Sequence, residues 1–199
     1  MDITLYEYEP TRSARVRWTL QELELPFTSV SGEHLFGSDE LRAVHPLAKL
    51  PAVVIDGEPM FESAAICTYL ADCCPDKEMI PKSGTRARGL HEQWVSFVLS
   101  EVEAHSWSTF RNTFLYPEEM RVPAIVEQNN IEQRKGLTVL DEALAEQDYL
   151  LGESFQVTDI IVGFAVNSAR RRETFSDDMA NLLTYTARLS KRPHSTLME

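Results

Sequence analysis

Two kinds of local pattern divide this chain, and together they predict an α/β domain followed by an all-α domain. Over roughly the first eighty residues, strand and helix signals alternate. Within that stretch Asp56-Gly57 joins two short apolar runs, the sequence form of a tight β-hairpin. Beyond Pro81-Lys82-Ser83-Gly84 the pattern is almost purely helical.

The elements follow in order. Ile3-Thr4-Leu5-Tyr6-Glu7-Tyr8 is β-prone, and Glu9-Pro10-Thr11-Arg12 breaks it. Val16, Leu20 and Leu23 then share one face of a helix. Pro26-Phe27-Thr28-Ser29-Val30 reads as a second strand, and a short helix fits Ser38 to Val44. Ala52-Val53-Val54-Ile55 is an apolar strand whose hairpin partner runs from Glu58 to Phe61. Pro59 has no backbone donor, so that partner belongs at a sheet edge. Ser63 is a good helix start, and Ile66, Tyr69 and Leu70 continue the helix. The order β, α, β, α, β, β, α gives a small sheet with one parallel crossover and one antiparallel hairpin.

The second half reads as one long helix from about Thr85 to Tyr116, stopped by Pro117. Pro123 opens another that reaches about Glu146. Further helices fit Val157 to Arg170 and Asp177 to Ser190. The expected organisation is residues 1–76 as the first domain, 77–84 as a linker and 85–199 as an all-helical domain.

Composition excludes several classes of function. The 199 residues carry a formal net charge of -12, the wrong sign for a nucleic-acid surface. Apolar residues make up 43%, which argues against disorder. No run of eighteen apolar residues is present to span a membrane, and the start MDITLYEYEP lacks the form of a signal peptide. Cys67, Cys73 and Cys74 form no disulfide framework or metal-ligand spacing, and the five histidines are scattered. These features predict a cytoplasmic protein with no metal, no nucleic acid and no membrane as partner.

The string Lys49-Leu50-Pro51-Ala52-Val53, through Asp56-Gly57 to Phe61-Glu62-Ser63, resembles the glutathione-site segment of the cytosolic glutathione transferases. Tyr185-Thr186-Ala187-Arg188-Leu189-Ser190-Lys191-Arg192-Pro193 resembles the last helix of that family, and Phe110 to Glu118 resembles a bacterial subgroup. The resemblance implies a thioredoxin-like first domain, a helical second domain and a two-fold homodimer. It implies a cis peptide bond at Leu50-Pro51, with the Leu50 backbone pairing to the cysteine portion of glutathione. Glu62 is then placed for the α-ammonium, Ser63 and its helix start for the α-carboxylate, and Lys49 for the glycine carboxylate. Taken singly, each has an ordinary alternative: a helix cap, a trans proline, a surface lysine.

The same resemblance places a thiol-activating group just after the first strand. Only the thiolate attacks, and a free thiol has a pKa of about 8.5, so a donor is needed to lower it. One alignment puts Pro10 at that position, where it donates nothing; another puts Thr11 there, with Ser13 next and Arg12 as a helping charge. Thr11 or Ser13 also suits a plain helix cap. No cysteine lies in the loop, which disfavours disulfide or dehydroascorbate reduction. In the helical half, Trp107, Phe110 and Phe114 share a helix face, a core stripe or, as the family implies, a wall for the electrophile; Arg111 beside them suits an anion or a salt bridge.

Three functions therefore compete. The first is detoxifying conjugation of glutathione, as cosubstrate, to small hydrophobic electrophiles. The second is glutathione-dependent peroxide reduction at the same site. The third is a non-catalytic binding or regulatory protein. One local departure concerns the helix near Val157: Gln156 stands where a Ser or Thr cap is usual and Asp159 is kept, so Thr158 or the packing of Ile160, Ile161 and Phe164 is expected to compensate.

Overall fold

The structure, a computed structural model, describes residues 1–175 and 177–197. By internal packing the chain separates into two units. One comprises Met1–Ser83 with the tail from Ser190, the other Gly84–Leu189.

The first unit is a four-stranded sheet with helices. In chain order it contains β1 (Ile3–Glu7), α1 (Ser13–Glu22), β2 (Thr28–Ser31), α2 (Asp39–Val44), β3 (Ala52–Ile55), β4 (Glu58–Phe61) and α3 (Ser63–Asp72). The strands lie in the order β2-β1-β3-β4, with β1 parallel to β2 and the other pairs antiparallel. This is the thioredoxin-like arrangement. The hairpin turns on Asp56 (φ 50°) and Gly57 (φ 90°), two left-handed residues as a tight turn between twisted strands requires. Pro59 sits on β4, an edge strand, where its missing donor breaks no ladder. β2 begins at Thr28 rather than Pro26, and Ser38 caps α2 by accepting from Leu41 N–H at 3.0 Å.

Ile3 and Leu5 alternate inward on β1, and α1 packs Val16, Trp18 and Leu20 to full burial, as α3 does Ile66, Cys67 and Leu70. Glu7 is also buried; it is stabilised by Arg17, whose Nε donates to it at 2.8 Å, and by Ser29. The tail closes onto α1 of the same unit: Arg192 donates twice to the Glu22 carboxylate at 2.8 Å, and Thr196 Oγ1 donates to Ala14 O at 3.0 Å.

The second unit is helical. The long run expected from about Thr85 to Tyr116 is a chain of segments: α4 (Arg86–Val98), a π-helical turn (Leu99–Glu103), α5 (Ala104–Phe110) and a second π-helical turn (Arg111–Leu115). Then come α6 (Pro123–Ala143), α7 (Val157–Arg170) and α8 (Ala180–Ser190). A π turn disturbs the carbonyl ladder, and side chains meet the disturbed groups. Gln133 of α6, 2% exposed, donates through Nε2 to Val102 O at 3.1 Å. Gly136 lets α6 come this close, because a Cβ there would lie 2.7 Å from Glu101 O. At the second turn, Asn112 donates to Ser108 O at 3.0 Å and accepts from Val122 N–H at 3.1 Å.

α7 bears out one of the two local alternatives, since Ile160 and Ile161 are fully buried on it, and not the other. The Thr158 hydroxyl bonds to His91 Nδ1 at 2.8 Å and caps nothing. Asp159 holds the helix start instead: it accepts from Gln156 N–H at 2.9 Å, Leu150 N–H at 3.1 Å and Tyr185 O–H at 2.9 Å. The α8 helix starts at Ala180, later than Asp177, with Asp141 of α6 accepting from Leu182 N–H at 2.9 Å. Ser176, just before it, lies outside the described residues.

Candidate active site

The sheet register gathers the predicted site segments. Tyr6 pairs with Ala52, and Ala52 pairs with Phe61. The exit from β1, the entry to β3 and the exit from β4 therefore lie in a row at one end of the sheet. The loop Tyr8–Arg12, the dipeptide Leu50-Pro51 and the pair Glu62-Ser63 extend from those three ends. Residues far apart in sequence thus reach one place through backbone pairing alone.

The loop after β1 holds a short hydroxyl chain. Ser13 is 1% exposed, and its Oγ donates to Tyr8 O at 3.1 Å and accepts from Tyr8 N–H at 3.2 Å. Thr11 Oγ1 lies 2.5 Å from Ser13 Oγ. Since the Ser13 proton is committed to a carbonyl, Thr11 is the donor in that contact. Thr11 Oγ1 also accepts from Ser13 N–H at 3.2 Å, so it does cap the start of α1. Thr11 is half-buried, and its proton needs only a rotation about χ1 or the C–O bond to face a ligand. Ser13 has no such freedom without releasing Tyr8. Arg12 stands at the N-cap in a helical conformation and makes no side-chain cap bond. The first amides of α1 are engaged locally: Ala14 N–H donates to Thr11 O and Arg15 N–H to Arg12 O, both at 3.2 Å.

The second segment carries a cis peptide bond at Leu50-Pro51, as expected, and another at Glu9-Pro10. Leu50 is buried with Leu35, Leu41, Ala48 and Ala52, while Lys49 beside it is exposed.

The third segment begins with Glu62 in the left-handed region (φ 73°, ψ 105°), a conformation costly for a non-glycine residue and concentrated at functional sites. The Glu62 side chain is exposed and does not cap α3, which leaves the first-turn amides of that helix to other acceptors. Ser63 is 4% exposed and accepts from Arg15 Nη1 at 3.3 Å. A guanidinium only donates, so this bond turns the Ser63 proton away from Arg15 and leaves it as a donor. Arg15 itself is fully buried on α1. Sequence patterning missed it, because an arginine on an amphipathic helix reads as surface; its place one residue before Val16 on the apolar face was the available signal.

In the helical unit the aromatic stripe is a ladder. Trp107 and Phe110 stack at 5.6 Å with planes 15° apart, and Phe110 meets Phe114 at 5.6 Å. Arg111 lies over Trp107 and Tyr116, and Arg172 over Phe110. Phe114 is 70% exposed at the end of the ladder. Arg172 was not singled out from the sequence.

Cys67 is wholly buried, which pushes its thiol up to about 11 and leaves it a core residue rather than a nucleophile. Among the described residues no helix is long and apolar enough to cross a membrane, and no group of three His, Cys, Asp or Glu is placed to hold a metal.

Comparison with known proteins shows what the chain is similar to. Residues 1–72 match the family model described as Glutathione S-transferase, N-terminal domain. Glutathione S-transferase GstA of Escherichia coli O157:H7 is 26% identical over 180 residues, covering 88% of this chain and 86% of its own. Elongation factor 1-gamma of Prunus avium is 30% identical over 141 residues, 71% of this chain but 31% of that protein. A theta class glutathione S-transferase from Xanthomonas axonopodis pv. citri, solved with glutathione bound, has the same fold: its TM-score is 0.85 at 24% identity, with 99% of this chain and 97% of that one covered. Residues 1–72 thus match the N-terminal domain of the glutathione S-transferases, the chain is similar to GstA over most of its length, and its fold is shared with a solved glutathione S-transferase.

Proposed function

We propose that this chain binds glutathione at the end of its sheet and conjugates it, through its sulfur, to small hydrophobic electrophiles. The observation that carries the reading is the convergence, through the β1–β3–β4 register, of Thr11, Leu50-Pro51 and Ser63. The glutathione in the Xanthomonas neighbour supports the choice of cosubstrate.

In this reading the Leu50 backbone pairs with the cysteine portion of glutathione as an added strand. Ser63, already oriented by Arg15, donates to the γ-glutamyl carboxylate together with the first amides of α3. Glu62 accepts from the α-ammonium, and Lys49 faces the glycine carboxylate as a point charge. Thr11 turns its proton from Ser13 to the sulfur. A donor there favours the thiolate, and the thiol proton leaves to solvent. The sulfur lone pair then forms the C–S bond as the electrophile's leaving group departs with its electron pair. The ladder of Trp107, Phe110 and Phe114, with Arg111, is the apolar surface assigned to the electrophile, and a homodimer belongs to the same reading.

Turnover of a chloronitroaromatic electrophile at fixed glutathione tests this. Conjugate formation that depends on protein and glutathione supports it; retention on a glutathione column with no turnover of any electrophile in a panel supports a binding protein instead. The likeness to elongation factor 1-gamma keeps that second reading in view.

A further inference from the structure

His45 lies between the end of α2 and the start of β3, at the root of the Lys49-Leu50-Pro51 segment, and it is 5% exposed. Its backbone N–H closes α2 by donating to Leu41 O at 2.8 Å, and its carbonyl accepts from Ala48 N–H at 2.8 Å. Its ring packs on Phe61 of β4 with centroids 4.8 Å apart. The ring's Nδ1 lies 3.0 Å from the Leu47 backbone nitrogen. A backbone N–H can only donate, so Nδ1 is the unprotonated acceptor and the neutral ring carries its proton on Nε2.

This is the bond that an Asn or Asp side chain makes to the amide two residues on in an Asx turn, here made by an imidazole. The turn it closes is demanding: Ala48 sits at φ 46° with its side chain buried beside Leu50. Three hydrogen bonds from one residue therefore fix the path of the chain into Lys49 and Leu50. Two come from the backbone and persist at any pH. The third exists only while the imidazole is neutral, because a protonated Nδ1 faces Leu47 N–H as donor against donor.

We propose that His45 is a positioning residue for the glutathione site, holding Lys49 and the Leu50 backbone in place through its Nδ1 bond to Leu47, and that protonation of His45 releases this hold. The inference rests on the glutathione-binding reading of that segment. The charges on the elements around the ring are Glu62 at the end of β4, Lys49 on the loop, Glu58 at the start of β4, and Asp39, Glu40 and Arg42 on α2, all at exposed positions. Burial of the ring lowers the His45 pKa, Glu62 raises it and Lys49 lowers it, with burial prevailing. The ring is accordingly neutral at pH 7.5 and takes its proton below the ordinary histidine range of about 6.5.

The test is the affinity for S-methylglutathione, which has no thiol to titrate, measured calorimetrically from pH 7.5 to pH 5 in the full chain. Wild type is expected to lose affinity on the acid side. His45→Asn keeps a neutral acceptor for Leu47 N–H, so it should bind within about twofold of wild type at pH 7.5 and stay flat where wild type falls. His45→Ala should bind about three- to tenfold more weakly at pH 7.5, the value of one hydrogen bond. Asp159, whose burial raises its pKa to about 6, titrates in the same window in all three proteins, so the difference between wild type and His45→Asn isolates His45. Hydrogen exchange of the Leu47 amide reads the bond without ligand: slow in wild type and His45→Asn at pH 7.5, fast in His45→Ala. Should His45→Ala not fold, the pH comparison of wild type with His45→Asn decides alone. An unchanged pH dependence in His45→Asn overturns the inference while leaving glutathione binding intact. A wild type that binds no S-methylglutathione at any pH overturns both.

Discussion

Replacing Asp159 by asparagine tests the account of the helical unit through a pH dependence of defined sign. Three donors converge on this fully buried carboxylate: Gln156 N–H, Leu150 N–H and Tyr185 O–H. Burial still dominates and raises its pKa from 3.8 to about 6. The folded protein therefore binds a proton at Asp159 at a higher pH than the unfolded chain does. Stability contributed by this group increases as pH falls from about 6 toward 4 and is lost as pH rises through 6. Between pH 7 and pH 5 the gain is on the order of 1 kcal/mol. The asparagine side chain offers one oxygen to three donors and presents its NH₂ group to at least one of them. Asp159→Asn should cost roughly 2–4 kcal/mol at pH 7. Urea unfolding of both proteins at pH 5, 6 and 7 is the assay. The gap between wild type and variant should widen by about 1 kcal/mol from pH 7 to pH 5. A gap that stays constant would mean that Asp159 titrates as an ordinary carboxylate, and the burial argument would fail.

Two further predictions concern single contacts. Ser63→Ala removes the hydroxyl that Arg15 orients and should weaken glutathione binding by roughly 1–3 kcal/mol without unfolding the chain; equal affinities in calorimetry would reduce Ser63 to a structural residue. Gly136→Ala places a methyl 2.7 Å from Glu101 O, and the resulting overpacking of roughly 1–3 kcal/mol should outweigh the gain in helix propensity of about 1 kcal/mol, read as a lower urea midpoint at unchanged slope.

The sequence displayed those parts of the fold that rest on local backbone chemistry. Asp56-Gly57 dictated a hairpin because two left-handed residues in succession suit little else. Pro59 identified the edge strand because a proline cannot serve a central ladder. What stayed hidden depends on partners far away in the chain. The two π turns leave the apolar spacing of residues 86–115 helical, and their signature lies on α6, in Gln133 and Gly136. The tail from Ser190 reads as the end of a helical half, yet Arg192 finds its carboxylate at Glu22 of α1. At the candidate site, the segments from Lys49 to Ser63 could be singled out because they lie close together in the sequence around one hairpin. Arg15 and His45 were not: for Arg15 the only local signal is its place beside Val16 on the apolar face of α1, and nothing near His45 distinguishes a turn-closing imidazole from a surface residue. The proposal of Thr11 over Ser13 rests on the Tyr8 carbonyl, which accepts the Ser13 proton and is not visible in the sequence.

That choice sits at the centre of the account, and one titration addresses it. Thiolate absorbs in the ultraviolet, so the pKa of the glutathione thiol can be read in its complex with the protein. The account predicts a bound thiol roughly one to two units below the free value of about 8.5, each unit being about 1.4 kcal/mol of thiolate stabilisation. Thr11→Val keeps the shape and removes the donor, and because Ala14 and Arg15 N–H are engaged locally, it should return the pKa most of the way to that of free glutathione. A bound thiol that titrates like the free one in wild type, or a low pKa that survives Thr11→Val unchanged, would contradict the account.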